Sequence, residues 1–85
     1  MKPISILGST GSIGVTALRL IEKHSDRFNV VGLAGGDNIA LLAEQVRRFR
    51  PKIVAVRTEE GLRALSEATR DLTGVEMGFG TQAME

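Results

Sequence analysis

The sequence predicts an α/β protein built on a parallel sheet, and three observations carry that prediction. Short apolar runs alternate with amphipathic stretches along all 85 residues, the pattern that right-handed β–α–β crossovers produce. A glycine-rich run, Gly8-Ser9-Thr10-Gly11-Ser12-Ile13-Gly14, joins the first apolar run to the first amphipathic stretch. Each later amphipathic stretch is preceded by a residue that caps helices, first Asn38 and then Thr58.

Ile4 to Leu7 is a short apolar run between Pro3 and Gly8, which predicts a strand buried on both faces. From Ile13 the apolar positions are Ile13, Ala17, Leu18 and Ile21, a helical spacing with Ser12 as the N-cap. That helix is expected to end near His24 and Ser25. Phe28 to Leu33 reads as the second strand, followed by Ala34-Gly35-Gly36. Asn38 caps a second helix with the stripe Ile39, Leu42, Ala43, Val46 and Phe49, and Pro51 stops it. Ile53 to Val56 is the third strand. Thr58 then caps a third helix that carries Leu62, Leu65, Ala68 and Leu72 and runs out before Gly74. Val75 to Met77 reads as a fourth strand, weakened by Glu76, and Gly78-Phe79-Gly80 leads to Thr81, a further N-cap position.

This order, βαβαβαβ and the first turn of a helix, predicts a Rossmann-like parallel sheet with helices on both faces. A complete dinucleotide-binding fold takes roughly 150 residues. On that scale residues 1–85 read as the amino-terminal part of one such domain, truncated after about four strands, with Thr81 to Glu85 a helix barely begun. Catalytic and carboxy-terminal domains are expected to lie outside this stretch.

Eleven basic residues stand against ten acidic ones, a net charge of +1, so bulk electrostatics favour neither nucleic acid nor a membrane as partner. Cysteine is absent, which excludes disulfides and thiolate metal sites from these residues. The apolar run after Pro3 is too short for a signal peptide, and none approaches the ~18 residues of a membrane span. The sequence reads as soluble and cytoplasmic.

The glycine loop carries the functional signal. A strand turning sharply into a helix gathers unpaired backbone N–H groups at the positive end of the helix dipole, where a phosphate binds. Gly8, Gly11 and Gly14 let the backbone approach that phosphate and let the helix pack against its strand. Their G-x-x-G-x-x-G spacing departs from the commoner G-x-G-x-x-G, but the strand before and the helix after supply the context the motif requires. No Lys-Ser or Lys-Thr follows, so the loop is not a P-loop. In NAD-binding folds an acid about 20 positions beyond the loop bonds the ribose 2′-hydroxyl. Here that region is Leu33-Ala34-Gly35-Gly36, without a carboxylate, which points toward NADP, whose 2′-phosphate an acid would repel. Asp37 counts the other way, being close by with no arginine beside it. Its plainest role, shared with Asn38, is to cap the second helix. The N–H groups of Gly36 to Asn38, at that helix start, remain available to a phosphate.

No catalytic residue and no metal ligand is assigned in this stretch. Arg47, Arg48, Arg50 and Lys52 read as the solvated end of the second helix, complementing its dipole. Nucleic-acid binding would need a broader basic face with interleaved aromatics. His24, the sole histidine, lies at a helix end without a second ligand at metal spacing. Arg57 follows the third strand at the carboxyl edge and reads as a surface arginine, with bordering the adenine as the alternative. Glu59 and Glu60 fit the helix dipole better than acid–base work. Met77, Phe79 and Met84 read as core or interface residues. Tyrosine and cysteine are absent, so neither a tyrosine proton relay nor a thiol nucleophile lies here.

Ile4 to Gly14 closely resembles the amino terminus of the 1-deoxy-D-xylulose 5-phosphate reductoisomerase family, as do Phe28 to Gly36, Asn38, Leu42-Ala43-Glu44-Gln45 and Arg50 to Val56. The resemblance covers essentially the whole chain, and the glycine loop is its most specific part. It implies an oxidoreductase of non-mevalonate isoprenoid biosynthesis. Such an enzyme isomerises 1-deoxy-D-xylulose 5-phosphate and reduces it with NADPH to 2-C-methyl-D-erythritol 4-phosphate. The resemblance further implies a divalent metal, magnesium or manganese, on the substrate oxygens, and a homodimer at full length. By the same resemblance Thr10, Gly11, Ser12 and Ile13 hold the cofactor's phosphates, and Gly36 and Asn38 its adenosine phosphate end; Gly8 of the loop and the Asp37 backbone complete the expected cofactor-binding set. Some members carry a lysine between Gly36 and Asn38. Asp37 stands there in this chain, so a backbone contribution is expected from that position. The family's metal carboxylates, substrate-phosphate site and lid lie beyond position 85, so this chain alone is expected to bind NADPH weakly and to be inactive. Two other readings stand beside this one: a different NADP-dependent oxidoreductase, such as a semialdehyde dehydrogenase, and a stand-alone nucleotide-sensing module.

Overall fold

The computed structural model describes residues 2–80; the helix start expected at Thr81, and Met84, lie outside the described residues. Seven elements follow in the predicted order: β1 (Lys2–Leu7), α1 (Ser12–Lys23), β2 (Phe28–Ala34), α2 (Ile39–Phe49), β3 (Ile53–Val56), α3 (Glu59–Ala68) and β4 (Glu76–Phe79). All strand pairs are parallel and the strands lie in the order β1-β2-β3-β4, the Rossmann-like sheet the alternation calls for.

Strand order decides where the helices go. Right-handed crossovers that all step in one direction place their helices on one face of the sheet. A single core accordingly packs Leu18 of α1, Leu42 and Val46 of α2 and Leu65 of α3 against Val30, Leu33, Val54 and Val56. The helical layer expected on the opposite face is not among the described residues. Register shows the asymmetry: Ile6, Leu33, Val54 and Met77 form a row on the helix side, whereas the next row is Leu7, Ala34, Ala55 and Gly78.

β2 contains one extra residue, since Ile4 pairs with Val30 but Ser5 pairs with Gly32. A regular strand alternates faces with period two, so Val30 and Leu33 would point to opposite sides. The bulge corrects the parity, and both are buried in the core.

Among the described residues β1 lies at the end of the strand order, and its residues alternate between exposed and half-buried instead of being buried on both faces as expected. Pro3 stands at the start of the strand, next to Lys2 whose N–H pairs with Arg27, where the N–H that proline lacks is not needed by β2. Boundaries shift elsewhere by a residue or two: β2 takes in Ala34, and β4 covers Glu76–Phe79 instead of Val75 to Met77.

The helix ends follow local chemistry. Asn38 Oδ1 accepts the Leu41 N–H at 3.2 Å, and α2 ends with Arg50 in the left-handed region, φ 48°, just before Pro51. Thr58 Oγ1 accepts the Gly61 N–H at 3.0 Å to open α3. That helix stops earlier than its apolar spacing suggests. It ends at Ala68, where the Thr69 hydroxyl donates to the Leu65 carbonyl at 2.8 Å, a local bond that competes with helix continuation. Leu72 reaches the core from the turn beyond.

Two of the four clustered cations bridge helices instead of only facing solvent. Arg47 donates to both Asp71 oxygens, at 2.9 and 2.7 Å, and to the Ala68 carbonyl at 2.7 Å, tying α2 to the end of α3. Arg48 pairs with Glu22 of α1 at 2.8 Å.

Hydrogen bonds from Arg47 are the main reason the Asp71 carboxyl is held below the usual carboxylate range. A depressed folded-state value means the pair stabilises the fold above the unfolded carboxyl's value near pH ~4. That contribution is lost as pH falls through the folded value. Asp71→Asn is therefore expected to lower the unfolding temperature at pH 7 and to leave it less sensitive to acid. Circular dichroism melts between pH 7 and pH 2 check this, and parallel acid limbs for the two proteins would contradict it.

Candidate functional site

The carboxyl ends of β1, β2 and β3 meet at one corner of the sheet, joined by backbone. Gly8 and Ser9 N–H groups both donate to the Ala34 carbonyl, at 2.7 and 3.0 Å, and the Gly35 N–H donates to Ala55 at 3.1 Å. Gly8 has φ +71°, a left-handed conformation open to glycine at little cost, and this turns the chain out of β1. The Gly11 N–H then closes the turn on the Gly8 carbonyl at 3.0 Å. Gly14, in the first turn of α1, presses directly on this loop. A Cβ at Gly14 would lie 2.3 Å from the Gly8 oxygen and 2.7 Å from Ser9 Cα.

α1 starts one residue away from the predicted arrangement. Gly11 is the N-cap and Ser12 the first helical residue, so Ser12 does not cap the helix. No side chain accepts from the first N–H groups of α1, whereas Asn38 and Thr58 serve that purpose for α2 and α3. The Val15 N–H takes the Gly11 carbonyl, and helix geometry leaves Ser12, Ile13 and Gly14 N–H groups without an intrahelical acceptor. They lie at a cleft of about 570 Å³ that Gly8, Gly11, Ser12, Ile13 and Gly14 border. Leu7 and Ile13, 73% and 86% exposed, give it apolar walls. An anion entering this cleft meets unpaired donors and the positive end of the α1 dipole.

The second predicted segment joins the first through one hydrogen bond. Thr10 Oγ1 accepts the Gly36 N–H at 3.3 Å, so the glycine loop and the end of β2 form one surface. Thus Gly8, Thr10, Gly11, Ser12, Ile13, Gly36, Asp37 and Asn38 all lie along the same edge. Asn38 is engaged as the α2 cap. Asp37 contributes only its carbonyl to the helix start, accepting the Ile39 N–H at 2.9 Å. Its carboxylate lies 3.5 Å from the Arg57 guanidinium. The sequence places no arginine beside Asp37, yet the fold does, because β2 and β3 are neighbours and their ends share the edge. A second cleft, about 480 Å³, continues past Leu7, Ala34, Gly35, Ala55 and Arg57. Apart from Arg57 its walls are aliphatic or backbone.

Gln45 belongs to this site and sequence reasoning missed it. Its Nε2 donates to the Ser9 carbonyl at 2.7 Å, with both residues buried, and so holds the loop from beneath. The available signal is position. Gln45 lies three residues after Leu42 and four before Phe49, on the apolar stripe of α2, where a polar side chain requires a partner.

The arrangement has counterparts among known proteins. Residues 4–85 match the model of the family described as 1-deoxy-D-xylulose 5-phosphate reductoisomerase. A relative of that name from Microcystis aeruginosa is 57% identical over 72 residues, which make up 85% of this chain and 18% of that protein. A solved 1-deoxy-D-xylulose 5-phosphate reductoisomerase from Zymomonas mobilis, in complex with NADPH, superposes with a TM-score of 0.88 at 32% identity. The match covers 98% of this chain and 22% of that one. Another solved reductoisomerase, in complex with NADPH, fosmidomycin and magnesium, gives a TM-score of 0.88 at 25% identity, over 96% of this chain and 20% of its own. The chain therefore spans between 18% and 22% of the length of these proteins. Among the described residues no group of three His, Cys, Asp or Glu is placed to hold a metal ion, and no helix is long and apolar enough to cross a membrane.

Gly14→Ala is expected to push α1 off the loop, costing roughly 1–3 kcal/mol, because the obstructing atoms are backbone and cannot swing aside. Gln45→Leu is expected to cost about 1–3 kcal/mol by leaving the buried Ser9 carbonyl unpaired. Urea unfolding measures both, and a wild-type midpoint for either variant would show that its contact does not support the loop.

Proposed function

The chain belongs to the 1-deoxy-D-xylulose 5-phosphate reductoisomerase family, and we propose that residues 1–85 form the amino-terminal part of the NADPH-binding domain of such an enzyme. The observation that carries this reading is the unserved N-terminus of α1, packed so closely on the glycine loop that a Cβ at Gly14 would collide with the Gly8 and Ser9 backbone. A pyrophosphate needs close backbone donors, and this corner offers them without a competing side chain. The fit to the cofactor is thus good. Gly8 and Gly11 shape the turn, and Thr10, Ser12 and Ile13 line the pyrophosphate. Gly36, Asp37 and Asn38 receive the phosphate on the adenosine ribose. The solved relatives in complex with NADPH support the assignment.

NADPH supplies a hydride when bound; this chain's residues bind it, orient it and keep water from its pyrophosphate. The whole enzyme isomerises 1-deoxy-D-xylulose 5-phosphate and reduces it to 2-C-methyl-D-erythritol 4-phosphate, in isoprenoid biosynthesis. We place it in the cytoplasm as a homodimer. A divalent metal, magnesium or manganese, belongs to its substrate site, as the magnesium-bound relative supports. We assign its ligands and the catalytic groups to parts of the enzyme outside residues 1–85. Family membership displaces the semialdehyde dehydrogenase and nucleotide-sensing readings.

Gly11→Asp separates stability from binding. Gly11 has the extended backbone of a normal N-cap, φ −79° and ψ 168°, and aspartate is a better cap than glycine by a few tenths of a kcal/mol or more. The variant is expected to melt at or above the wild-type temperature. NADPH affinity of the full-length protein is expected to fall at least roughly ten-fold, because the carboxylate takes the N–H groups the pyrophosphate needs and repels it. Cofactor fluorescence titration checks this. Unchanged NADPH affinity would remove the glycine loop from the cofactor site.

A further inference from the structure

We propose that Arg57 is the side chain that recognises the 2′-phosphate of NADPH, and that Asp37 is the counter-ion it exchanges for that phosphate. The inference rests on the reading of this corner as an NADPH site and adds the group that selects between the two nicotinamide dinucleotides.

Arg57 immediately follows β3, on the sheet edge that carries the glycine loop. It borders two adjoining clefts. One is the 480 Å³ cleft walled by Leu7, Ala34, Gly35 and Ala55, whose largely apolar lining suits a planar ring. The other, about 250 Å³, lies between Gly36, Asp37, Thr58 and Glu60. Among the described residues lining these two clefts, Arg57 is the sole cation. An adenosine seated against the first cleft turns its ribose toward the end of β2, where this class of fold reads the 2′ substituent with an acid or an arginine.

The Asp37–Arg57 contact has the character of a partner that can be exchanged. It is a single contact at 3.5 Å between side chains 84% and 68% exposed. By contrast, Arg47 and Arg48 are held at 2.7 and 2.8 Å by carboxylates on other elements. Exposed pairs of the looser kind hold their partners weakly. A phosphate monoester carries up to two charges and three acceptor oxygens, and it meets a guanidinium in a bidentate fork that a distant carboxylate does not match. Transfer of Arg57 from Asp37 to the phosphate is therefore favourable.

Asp37 and Glu60 remain in the smaller cleft and would repel a 2′-phosphate that lacked a cation. Without Arg57, Asp37 is instead free to accept a ribose 2′-hydroxyl, the contact typical of NADH. Loss of Arg57 thus reverses the preference and does more than weaken it.

Dissociation constants of the full-length protein for NADPH and NADH test the proposal. Arg57→Ala is expected to weaken NADPH roughly 10- to 100-fold and to leave NADH within about three-fold, so that NADH becomes the tighter ligand. Arg57→Lys, which keeps the charge and loses the fork, should fall between wild type and Arg57→Ala. Asp37→Asn should tighten NADPH and loosen NADH. If Arg57→Ala weakens both cofactors equally, or neither, while the wild type still prefers NADPH, the proposal fails and the NADPH reading survives. A wild type that binds neither dinucleotide, or prefers NADH, overturns the NADPH reading and this inference with it.

Discussion

The approach of α1 to the glycine loop, backbone against backbone at Gly14, is the constraint on which the rest of this molecule depends. With no room for a Cβ between Gly14 and the Gly8 carbonyl, the helix begins as close to the end of β1 as a chain can bring it. That closeness sets the first turn of α1 over the corner where three strands end. It also leaves the helix without a side-chain cap. A cap there would satisfy the helix and occupy the place of an anion. Among the described helices α1 alone lacks a side-chain cap, whereas α2 and α3 are capped by Asn38 and Thr58, and in the proposed reading this trades local stability for binding.

The loop is supported from three sides. From β2, the Ala34 carbonyl accepts two N–H groups of the turn. From α2, Gln45 reaches through the core to the Ser9 carbonyl. Thr10 extends the loop outward to Gly36. Since α2 is itself fixed by the Asn38 cap and by the Arg47–Asp71 and Arg48–Glu22 pairs, the position of the glycine loop is coupled to α1, α2 and α3. Preorganised donors of this kind lose little on binding, which is how a small backbone site gains affinity.

The sheet divides its labour by face. Large aliphatic residues, among them Leu33 and Val54, meet the helices and form the core. The opposite row of Ala34, Ala55 and Gly78 is small. Near the carboxyl edge those small residues leave the space that Arg57 borders. Among the described residues the helices pack on one face of these strands, and the bulge in β2 keeps its large core side chains on that face.

Much of this was legible in the amino-acid sequence alone. Helical periodicity located α1, α2 and α3 to within a few residues, because each buries one stripe. Asn38 and Thr58 marked helix starts through short-range bonds to their own third neighbours. The spacing of Gly8, Gly11 and Gly14 located the cradle, because close approach and left-handed backbone are properties of glycine itself. What the sequence could not decide was relative position. That the helices among the described residues share one face depends on strand order, which no single segment shows. Gln45 had no assigned role in the sequence; only the fold set it beneath the Ser9 carbonyl that it bonds. Asp37 had no cation near it in the chain; only the pairing of β2 with β3 brought Arg57 alongside. Local chemistry thus determined the elements and the glycine loop, whereas the meeting of Asp37 with Arg57 beside that loop was decided by which strand ends became neighbours, because parallel pairing joins residues far apart in the chain.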